Sequence, residues 1–454
     1  MSISSWKKRW FAMATGITIL LLGGLSLTSV NAVSAPTPVE NLAAYSGGDS
    51  IALTWKASAG ASYYQVYRDA KLLSTVKKST TGLLPYRAGT RFIDTSAQKG
   101  MLYKYTVRAV NNQGVSSSDS QMIASMLRTD SRLPTIFISN GGFLDMNSWL
   151  ADARREALIW YPKFEEKIAY PNYRSPSAFT IRFASMPDGV AYTDGTAITL
   201  SVEYFRNNRD DIGAVMHEIG HVVQNYQGAR ESWATEGIGD WLRSIVYKDP
   251  LSPLTAPQPY QYYTDSYRPA AYYLAGIERN SANFIKSLNR ALKDNTYNAS
   301  FIYNRTGVTP EQWWTRLTST KARVVTLKSA AAPAFCIDGK TTITPANEAK
   351  VQLWVCNNLP AQKLTVLSPS GTDINYVRMN DTYCMDLAFG STAENSKVHQ
   401  WGCNGTNAQQ WRYSSGRLIN PIQSMCLAST TARNGSQLVV QSCSGSLNQT
   451  WRGF

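Results

Sequence analysis

The chain has 454 residues, which is long for a single domain and favours two to four of them. Its formal net charge is +14, so its surface would adhere to anionic polymers, acidic glycans or membrane surfaces. No nucleic-acid recognition motif accompanies this charge, and diffuse charge is typical of a solvated surface. All six cysteines lie between Cys336 and Cys443. We therefore expect no specific nucleic-acid partner, and disulfides confined to the C-terminal part of an exported protein.

The first 35 residues have the features of an export signal. Lys7, Lys8 and Arg9 precede an apolar run, and small residues suitable for cleavage follow at Ala32 and Ala35. The alternative is a membrane anchor, because the apolar run is almost long enough to span a bilayer. Gly, Ser and Thr dilute its second half, which favours cleavage. We expect residues 1–35 to be a signal peptide of a secreted, extracellular protein with no membrane insertion after cleavage.

Residues 36–128 show the alternation of short β-strands. Ile51–Trp55, Tyr63–Tyr67 and Tyr103–Val110 are apolar at every second position, and Gly and Ser clusters separate them. Such evenly spaced strands predict a β-sandwich. With its proline opening and the Leu-Thr-Trp of the first run, the segment resembles a fibronectin type III domain. The resemblance implies a scaffold or spacer, and no residue in the segment suggests catalysis.

Residues 133–322 have a mixed pattern that predicts an α+β domain. Strand candidates at 179–183 and 197–202 lie between the first two helices. A capping box of Thr-Pro-Glu-Gln opens the last helix at Thr309. The other helices are expected at 148–160, 210–227, 234–247, 270–278 and 284–293. This domain carries the candidate chemistry.

That chemistry centres on His217-Glu218-Ile-Gly-His221. A catalytic zinc ion needs three protein ligands and one water. Residues four apart lie on one face of a helix, so His217 and His221 can bind one ion. Glu218, beside the first ligand, is placed to take a proton from the zinc-bound water. In a chain with only three histidines, two ordinary helical histidines are the weaker interpretation, and the motif predicts one catalytic Zn²⁺.

The third ligand of this site must be a carboxylate. The remaining histidine, His399, belongs to a repeated C-terminal segment, and so do all the cysteines. Glu236 and Asp240 lie one turn apart on a second amphipathic helix, so one can bind zinc while the other hydrogen-bonds a ligand histidine. We assign Glu236 to the metal and Asp240 to that hydrogen bond. The alternatives are the reverse assignment and two ordinary surface carboxylates.

This region resembles the plant-type basic secretory proteins, whose relatives are zincin-superfamily peptidases with a glutamate as third ligand. The likeness covers 189–195, 217–224 and 236–243, and continues to the Gln-Trp-Trp at 312–314. It implies a zincin-like metallopeptidase and supports Glu236 as the ligand.

The resemblance also implies three further features. Tyr267 becomes a candidate catalytic donor to the oxyanion of the scissile carbonyl, although a core or cleft role is equally open. The strand at 197–202 would be the edge strand that pairs with an extended substrate. Gly239 stands where relatives usually have Ala, which costs helix propensity and is expected to touch no ligand.

Residues 324–454 repeat a pattern of two cysteines followed by glutamine, and the second and third copies end in Gln-x-Trp. Pairing within each copy is the economical choice, which gives Cys336–Cys356, Cys384–Cys403 and Cys426–Cys443. The units resemble the ricin-type β-trefoil lectin domain, with Leu364 in place of the first repeated tryptophan.

The lectin resemblance implies sugar-binding residues in two of the three copies. They are Asp338, Gln352 and Trp354 in the first copy and Asp386, His399 and Trp401 in the second. Ala428 and Gln441 leave the third copy with a structural role. Ala361 and Ala408 occupy positions where the family usually has a side-chain amide that binds the sugar. This weakens the resemblance in the first and second copies.

Three functions remain open at this point. The first is a secreted zinc metalloendopeptidase that a lectin domain holds near glycosylated or polysaccharide-bound targets. The second is a carbohydrate-binding adhesin or defence protein with a vestigial zincin domain. The third is another zinc hydrolase, acting on amides of cell-wall or glycopeptide type. The first is favoured over the second because a vestigial site tends to lose Glu218 or a ligand, and each expected residue is present.

Overall fold

The computed structural model describes residues 34–77, 90–129, 133–341, 348–380 and 382–454. The expected signal peptide lies outside the described residues, except for its last two positions. Within the described ranges, the model contains no helix whose length and apolar character would let it cross a bilayer. The chain is multidomain, with β-rich regions at both ends and a middle region of helices around a sheet.

The N-terminal region consists of two antiparallel sheets. One sheet has the order β1-β2-β5 and the other the order β4-β3-β6-β7. Side chains from both sheets meet in one core, including Leu53, Trp55, Tyr64 and Val107. The described strands are β1 (Glu40–Ser46), β2 (Ile51–Lys56), β3 (Tyr63–Arg68), β4 (Lys71–Lys77), β5 (Arg91–Asp94), β6 (Tyr103–Val110) and β7 (Ile123–Ser125).

The N-terminal region packs directly on the middle region. Tyr45 lies against Trp160, with 4.8 Å between the ring centroids. Arg91 and Glu156 form an ion pair across the contact, and both side chains are buried. An ion pair without water around it holds its two partners in one geometry. These contacts fit a fixed scaffold better than a free spacer.

The middle region contains four strands and eight helices among the described residues. Its sheet has the order β10-β11-β9-β8, in which β8, β9 and β11 are parallel and β10 is antiparallel. The strands are β8 (Thr135–Ser139), β9 (Ala178–Ala184), β10 (Ala191–Asp194) and β11 (Ala197–Ser201). The helices are α1 (Asn147–Ile168), α2 (Val202–Asn207), α3 (Ile212–Gln224), α4 (Ser232–Trp241), α5 (Tyr267–Asn280), α6 (Phe284–Lys293), α7 (Phe301–Thr306) and α8 (Pro310–Leu317).

The prediction that 197–202 forms the edge strand is wrong. That segment is β11, which has β9 on one side and β10 on the other. The edge of the sheet is β10, which is joined to β11 by a two-residue turn at Gly195 and Thr196. Four residues of mixed polarity give no strand signal of their own, and pairing with β11 makes this segment a strand.

Two helices also differ from the prediction. The first extends through Pro162 to Ile168, because Phe164 and Ile168 remain buried beyond the proline. The helix expected at 234–247 begins at Ser232 and changes to a π-helix over Leu242–Val246. Such π segments often lie close to functional residues, and this one begins two residues after Asp240.

The C-terminal region is a three-fold β structure. Leu364, Trp411 and Trp451 occupy equivalent places in its core and are buried, so leucine keeps the burial of the missing tryptophan. The strands are β12 (Thr320–Val325), β13 (Lys328–Ser329), β14 (Phe335–Gly339), β15 (Val351–Val355), β16 (Leu364–Pro369), β17 (Ile374–Met379), β18 (Tyr383–Leu387), β19 (Ser396–Gly402), β20 (Trp411–Ser414), β21 (Arg417–Asn420), β22 (Met425–Ser429), β23 (Ser436–Gln441) and β24 (Trp451–Arg452). The predicted disulfides Cys336–Cys356, Cys384–Cys403 and Cys426–Cys443 are all present.

The middle and C-terminal regions are joined without a loose linker. Helix α8 ends at Leu317 and β12 begins at Thr320, where it pairs with β16. Leu367 and Tyr376, on β16 and β17, belong to the hydrophobic core of the middle region. The two regions therefore share buried contacts.

Candidate functional site

Helix α3 carries the motif residues into a cleft of about 830 Å³. Asp211 caps the helix by accepting a hydrogen bond from the Ala214 N–H at 3.1 Å. The apolar residues of the helix pack into the core, and His217, Glu218 and His221 line the cleft. The buried apolar residues are Ile212, Val215, Met216, Ile219, Val222 and Val223.

Three donor atoms converge in this cleft. The Nε2 atom of His217 lies 3.0 Å from Nε2 of His221 and 3.1 Å from Oε2 of Glu236. The distance from His221 Nε2 to the same oxygen is 3.5 Å. Tetrahedral zinc with ligand bonds of about 2.0–2.1 Å separates its ligand atoms by roughly 3.3 Å. The three side chains therefore fit a zinc ion, and among the described residues they are the one such group close enough to share a metal.

The second nitrogen of each histidine is also engaged. Nδ1 of His217 lies 2.7 Å from Oδ1 of Asp240, which is buried on α4. Nδ1 of His221 lies 2.7 Å from Oε1 of Gln224, whose amide donates to the Thr235 carbonyl at 3.0 Å. Such partners fix the orientation of both rings, so that each Nε2 points at the space between the three donor atoms. Gln224 was not predicted, although its position one turn after His221 was a usable signal.

Gly239 has a closer relation to the site than expected. A Cβ atom on this residue would lie 2.9 Å from Cε1 of His217. The expectation that Gly239 touches no candidate ligand is therefore wrong. The sequence could not reveal this contact, because it depends on how closely α3 and α4 approach each other.

The electrostatics of the cleft stabilise positive charge between the donor atoms. Burial alone would lower the pKa of His217, but hydrogen bonds to Asp240 and Glu236 outweigh it and raise that pKa to about 10. Burial would raise the pKa of Glu236, but hydrogen bonds from the two histidines hold it well below its usual range. Carboxylates and imidazoles in this arrangement suit a divalent cation.

Glu218 is held against the edge strand. The Thr193 hydroxyl on β10 lies 2.7 Å from Oε2 of Glu218 and 3.1 Å from its backbone oxygen. This contact orients the carboxylate beside the donor atoms of α3. Thr193 was not predicted as a site residue, because nothing local in the sequence connects a strand threonine to a glutamate 25 residues later.

Tyr267 also lies in the cleft, as the first residue of α5. Its ring stacks on that of His217 with 5.8 Å between centroids, and 54% of the residue is exposed. Burial, followed by the carboxylates of Glu236 and Glu218, raises the pKa of this phenol. The hydroxyl therefore keeps its proton at neutral pH and can donate it in a hydrogen bond.

A second cavity, of about 620 Å³, lies in the second C-terminal repeat. Asp386 accepts from Nε2 of His399 and from Nε2 of Gln409, both at 3.0 Å. The rings of His399 and Trp401 stack with centroids 5.7 Å apart. Phe389, which was not predicted, lines the mouth and is 90% exposed. Asn404, Thr406 and Asn407 add polar atoms to the lining of this cavity beside Ala408.

The first and third repeats differ from the second. Asp338 accepts from Gln352 at 3.0 Å and from Gln362 at 3.2 Å, beside a part-exposed Trp354. The third repeat has Ala428 in place of the carboxylate, and its Gln441 bonds to Asn395. A buried aspartate that accepts hydrogen bonds from its neighbours is therefore found in the first and second repeats and is missing from the third.

Comparison with known proteins divides the chain into matching parts. Residues 148–317 match the sequence family described as "Peptidase of plants and bacteria". Residues 323–451 match the family described as "Ricin-type beta-trefoil lectin domain". A region that matches a peptidase family is thus followed by a C-terminal region that matches a lectin family.

Individual relatives cover smaller parts. The chain is 31% identical over 106 residues to an amylopullulanase of Thermoanaerobacterium saccharolyticum, a stretch of 23% of this chain and 8% of that protein. Among solved structures, the agglutinin from Abrus precatorius is 21% identical, with 29% of this chain and 48% of that chain covered and a TM-score of 0.25. A Fn3-like protein from Clostridium thermocellum is 30% identical, with 21% and 99% covered and a TM-score of 0.16.

Proposed function

We propose that this chain is a secreted zinc-dependent metalloendopeptidase of zincin type, which its lectin domain holds near glycosylated targets. The observation that carries the proposal is the convergence of His217, His221 and Glu236 at separations of 3.0–3.5 Å. Glu218 beside them supplies the base, and the family match of residues 148–317 supports a peptide substrate.

The mechanism follows from the residues around the cleft. A zinc ion bound by the two histidines and Glu236 would polarise the scissile carbonyl and lower the pKa of a bound water. Glu218 takes the proton from the attacking water and passes it to the leaving amine. Tyr267 donates a hydrogen bond to the oxyanion, which favours the transition state over the ground state. Asp240 and Gln224 hold the two imidazoles in place.

Strand β10 suits an extended peptide. It is the edge strand of its sheet, and Val190 to Thr193 line the same cleft as the donor atoms. An unpaired strand edge offers backbone donors and acceptors to any peptide, which gives affinity without a fixed side-chain preference. We propose that substrate pairs with β10, with its scissile bond beside Glu218.

The flanking regions support an extracellular setting. Three disulfides are stable in oxidising compartments, and the basic surface would favour anionic cell-surface polymers. We propose that Asp386, His399 and Trp401 bind one sugar, and Asp338, Gln352 and Trp354 a second. The N-terminal region would be a fibronectin type III-like scaffold docked on the peptidase-like domain.

The deciding experiment compares wild type with Glu218→Gln on a panel of proteins and glycoproteins. We expect cleavage by wild type that a chelator abolishes and added Zn²⁺ restores. The variant should bind zinc normally but cleave about 10²–10⁴ times more slowly, because it lacks the base. Glu166→Gln is the matched control, since Glu166 is an exposed glutamate of the same domain, paired with Arg128.

Two outcomes would contradict the proposal. Cleavage that persists in Glu218→Gln would exclude this mechanism. A wild type that binds zinc and sugar but cleaves no peptide would favour the carbohydrate-binding adhesin. Cell-wall peptides and glycopeptide amides belong in the panel, because their hydrolysis would identify the third function considered above.

A further inference from the structure

The segment that brings Tyr267 into the cleft has an unfavourable backbone conformation. Ser266 has φ 62° and Tyr267 has φ 43°, which is left-handed conformation for two residues with side chains. Non-glycine residues keep such a conformation only where their surroundings hold it. The segment 260–267 therefore needs support from outside, and its neighbours show what supplies it.

Part of that support comes from the middle region, where Tyr262 and Tyr263 pack in the core. The lectin domain supplies another part. Arg378, on β17, is 1% exposed and forms an ion pair with Asp265 through both terminal nitrogens, with Nη1 at 3.2 Å from Oδ2. Nη1 also donates to the Tyr260 carbonyl at 3.0 Å. A planar guanidinium that bonds a carboxylate with two nitrogens fixes direction as well as distance. One arginine thus joins both ends of a short turn.

The turn at residues 262–265 connects these lectin-domain contacts to the position of Tyr267. Asp265 accepts a hydrogen bond from the Tyr262 N–H at 2.8 Å, which closes the 3₁₀ turn before Ser266. Tyr260 at the start of the segment packs against the lectin loop, where a Cβ on Gly405 would lie 2.4 Å from its ring. The contacts leave little freedom for the segment while the lectin domain is in place.

We propose that Arg378 is a positioning residue for the peptidase, so that the lectin domain completes the active site as well as binding sugar. The proposal deepens and rests on the function proposed above. Arg378 is not among the residues that line the cleft, and it acts through Asp265 on the placement of the Tyr267 hydroxyl. Displacement of a catalytic group by about 1 Å can lower a rate a hundredfold.

The test uses Arg378→Met in the full chain, with Arg378→Lys as the conservative variant. Arg412→Met is the matched control, because Arg412 is an exposed lectin-domain arginine paired with Asp373. Hydrogen exchange of peptides spanning 260–267 is measured beside kcat, KM and zinc affinity. We expect Arg378→Met to speed exchange about tenfold in this segment and to lower kcat about tenfold. KM and zinc affinity should change less than about twofold, and Arg378→Lys should recover part of kcat.

A second variant tests the pair itself. Asp265→Asn keeps an acceptor for the Tyr262 N–H and removes the charge that Arg378 meets. Its effect on kcat should not add to that of Arg378→Met, since both changes break one interaction. Additive effects would overturn the proposal.

The remaining outcomes separate this proposal from the proposed function. Unchanged exchange in Arg378→Met overturns the positioning role, whatever the activity. Faster exchange with unchanged kcat also overturns it. If wild type cleaves no peptide, the proposed function fails and the catalytic role of Arg378 fails with it. Faster exchange in Arg378→Met would still show that this residue orders the segment.

Discussion

The chain places a histidine against a buried aspartate in two different cavities. In the peptidase-like domain, His217 lies 2.7 Å from Asp240, and in the lectin domain His399 lies 3.0 Å from Asp386. The pairs differ in what surrounds the histidine. His217 has a second histidine and a glutamate at its other nitrogen, whereas His399 stacks on an indole ring.

This difference shows that the residue pair does not determine the chemistry. Three converging donor atoms suit a cation, whereas a carboxylate beside an indole ring and the exposed Phe389 ring suits a ligand with hydroxyl groups on an apolar ring. The same pair therefore orients a candidate metal ligand in one domain and a candidate sugar contact in the other. Three substitutions test whether the two cavities are as distinct as this comparison requires.

The largest effect is expected from Glu236→Gln. Loss of the carboxylate removes one donor from the cation, so zinc affinity should fall more than about a hundredfold, beyond the loss typical of an outer partner. Isothermal titration with Zn²⁺ measures the change. Asp386→Asn is the control and should leave zinc affinity unchanged while it weakens sugar binding. A lower zinc affinity in Asp386→Asn would contradict the conclusion that the two cavities bind different ligands.

A smaller effect is expected from Trp401→Ala. Removing the ring that stacks on His399 should weaken glycan binding about tenfold, because an aromatic contact is lost from the cavity. Glycan-array binding followed by titration with the best ligand measures this loss. Trp354→Ala tests the first repeat in the same way, and Leu447→Ala controls for loss of an exposed apolar side chain. Normal binding by the double variant Trp354→Ala/Trp401→Ala would contradict both sugar assignments.

The smallest effect is expected from Gly239→Ala. Alanine favours a helix, but its Cβ would press on the His217 ring at 2.9 Å. Because Asp240 holds the ring through Nδ1, the ring has little room to move away, and we expect zinc affinity to fall several-fold while the melting temperature stays near that of wild type. Gly237→Ala is not a suitable control, since its Cβ would meet Ala270 at 2.7 Å. An exposed site such as Ser300→Ala serves instead, and equal zinc affinity in both variants would contradict the expected contact.

Local and periodic features were predictable from the sequence. The zinc-motif helix follows from apolar periodicity, and the disulfides follow from the repeat. Exclusion of other ligand types led to a carboxylate, and the family resemblance favoured Glu236, which the structure brings to 3.1 Å from His217. The helix and the disulfides needed only spacing along the chain, whereas the choice between Glu236 and Asp240 also needed the resemblance.

Features that depend on tertiary contact were not predictable. Strand β10 exists because it pairs with β11, and Thr193 reaches Glu218 only after that pairing forms. Phe389 is a lone exposed aromatic with no periodic partner, so it gave no signal. Arg378 and Asp265 are 113 residues apart, and nothing in either neighbourhood indicates the other.

Only two residues join α8 to β12. This short junction bears on how much the distance between the two cavities can vary. A flexible tether would let the peptidase sample many bonds around an anchored glycan, with an effective concentration set by tether length. A fixed junction allows one separation, so under the proposed function anchoring would accelerate only the cleavage of bonds at that distance from the held sugar. In a glycoprotein that carries a glycan at one defined position, the cleaved bonds should then lie at a constant distance from that glycan.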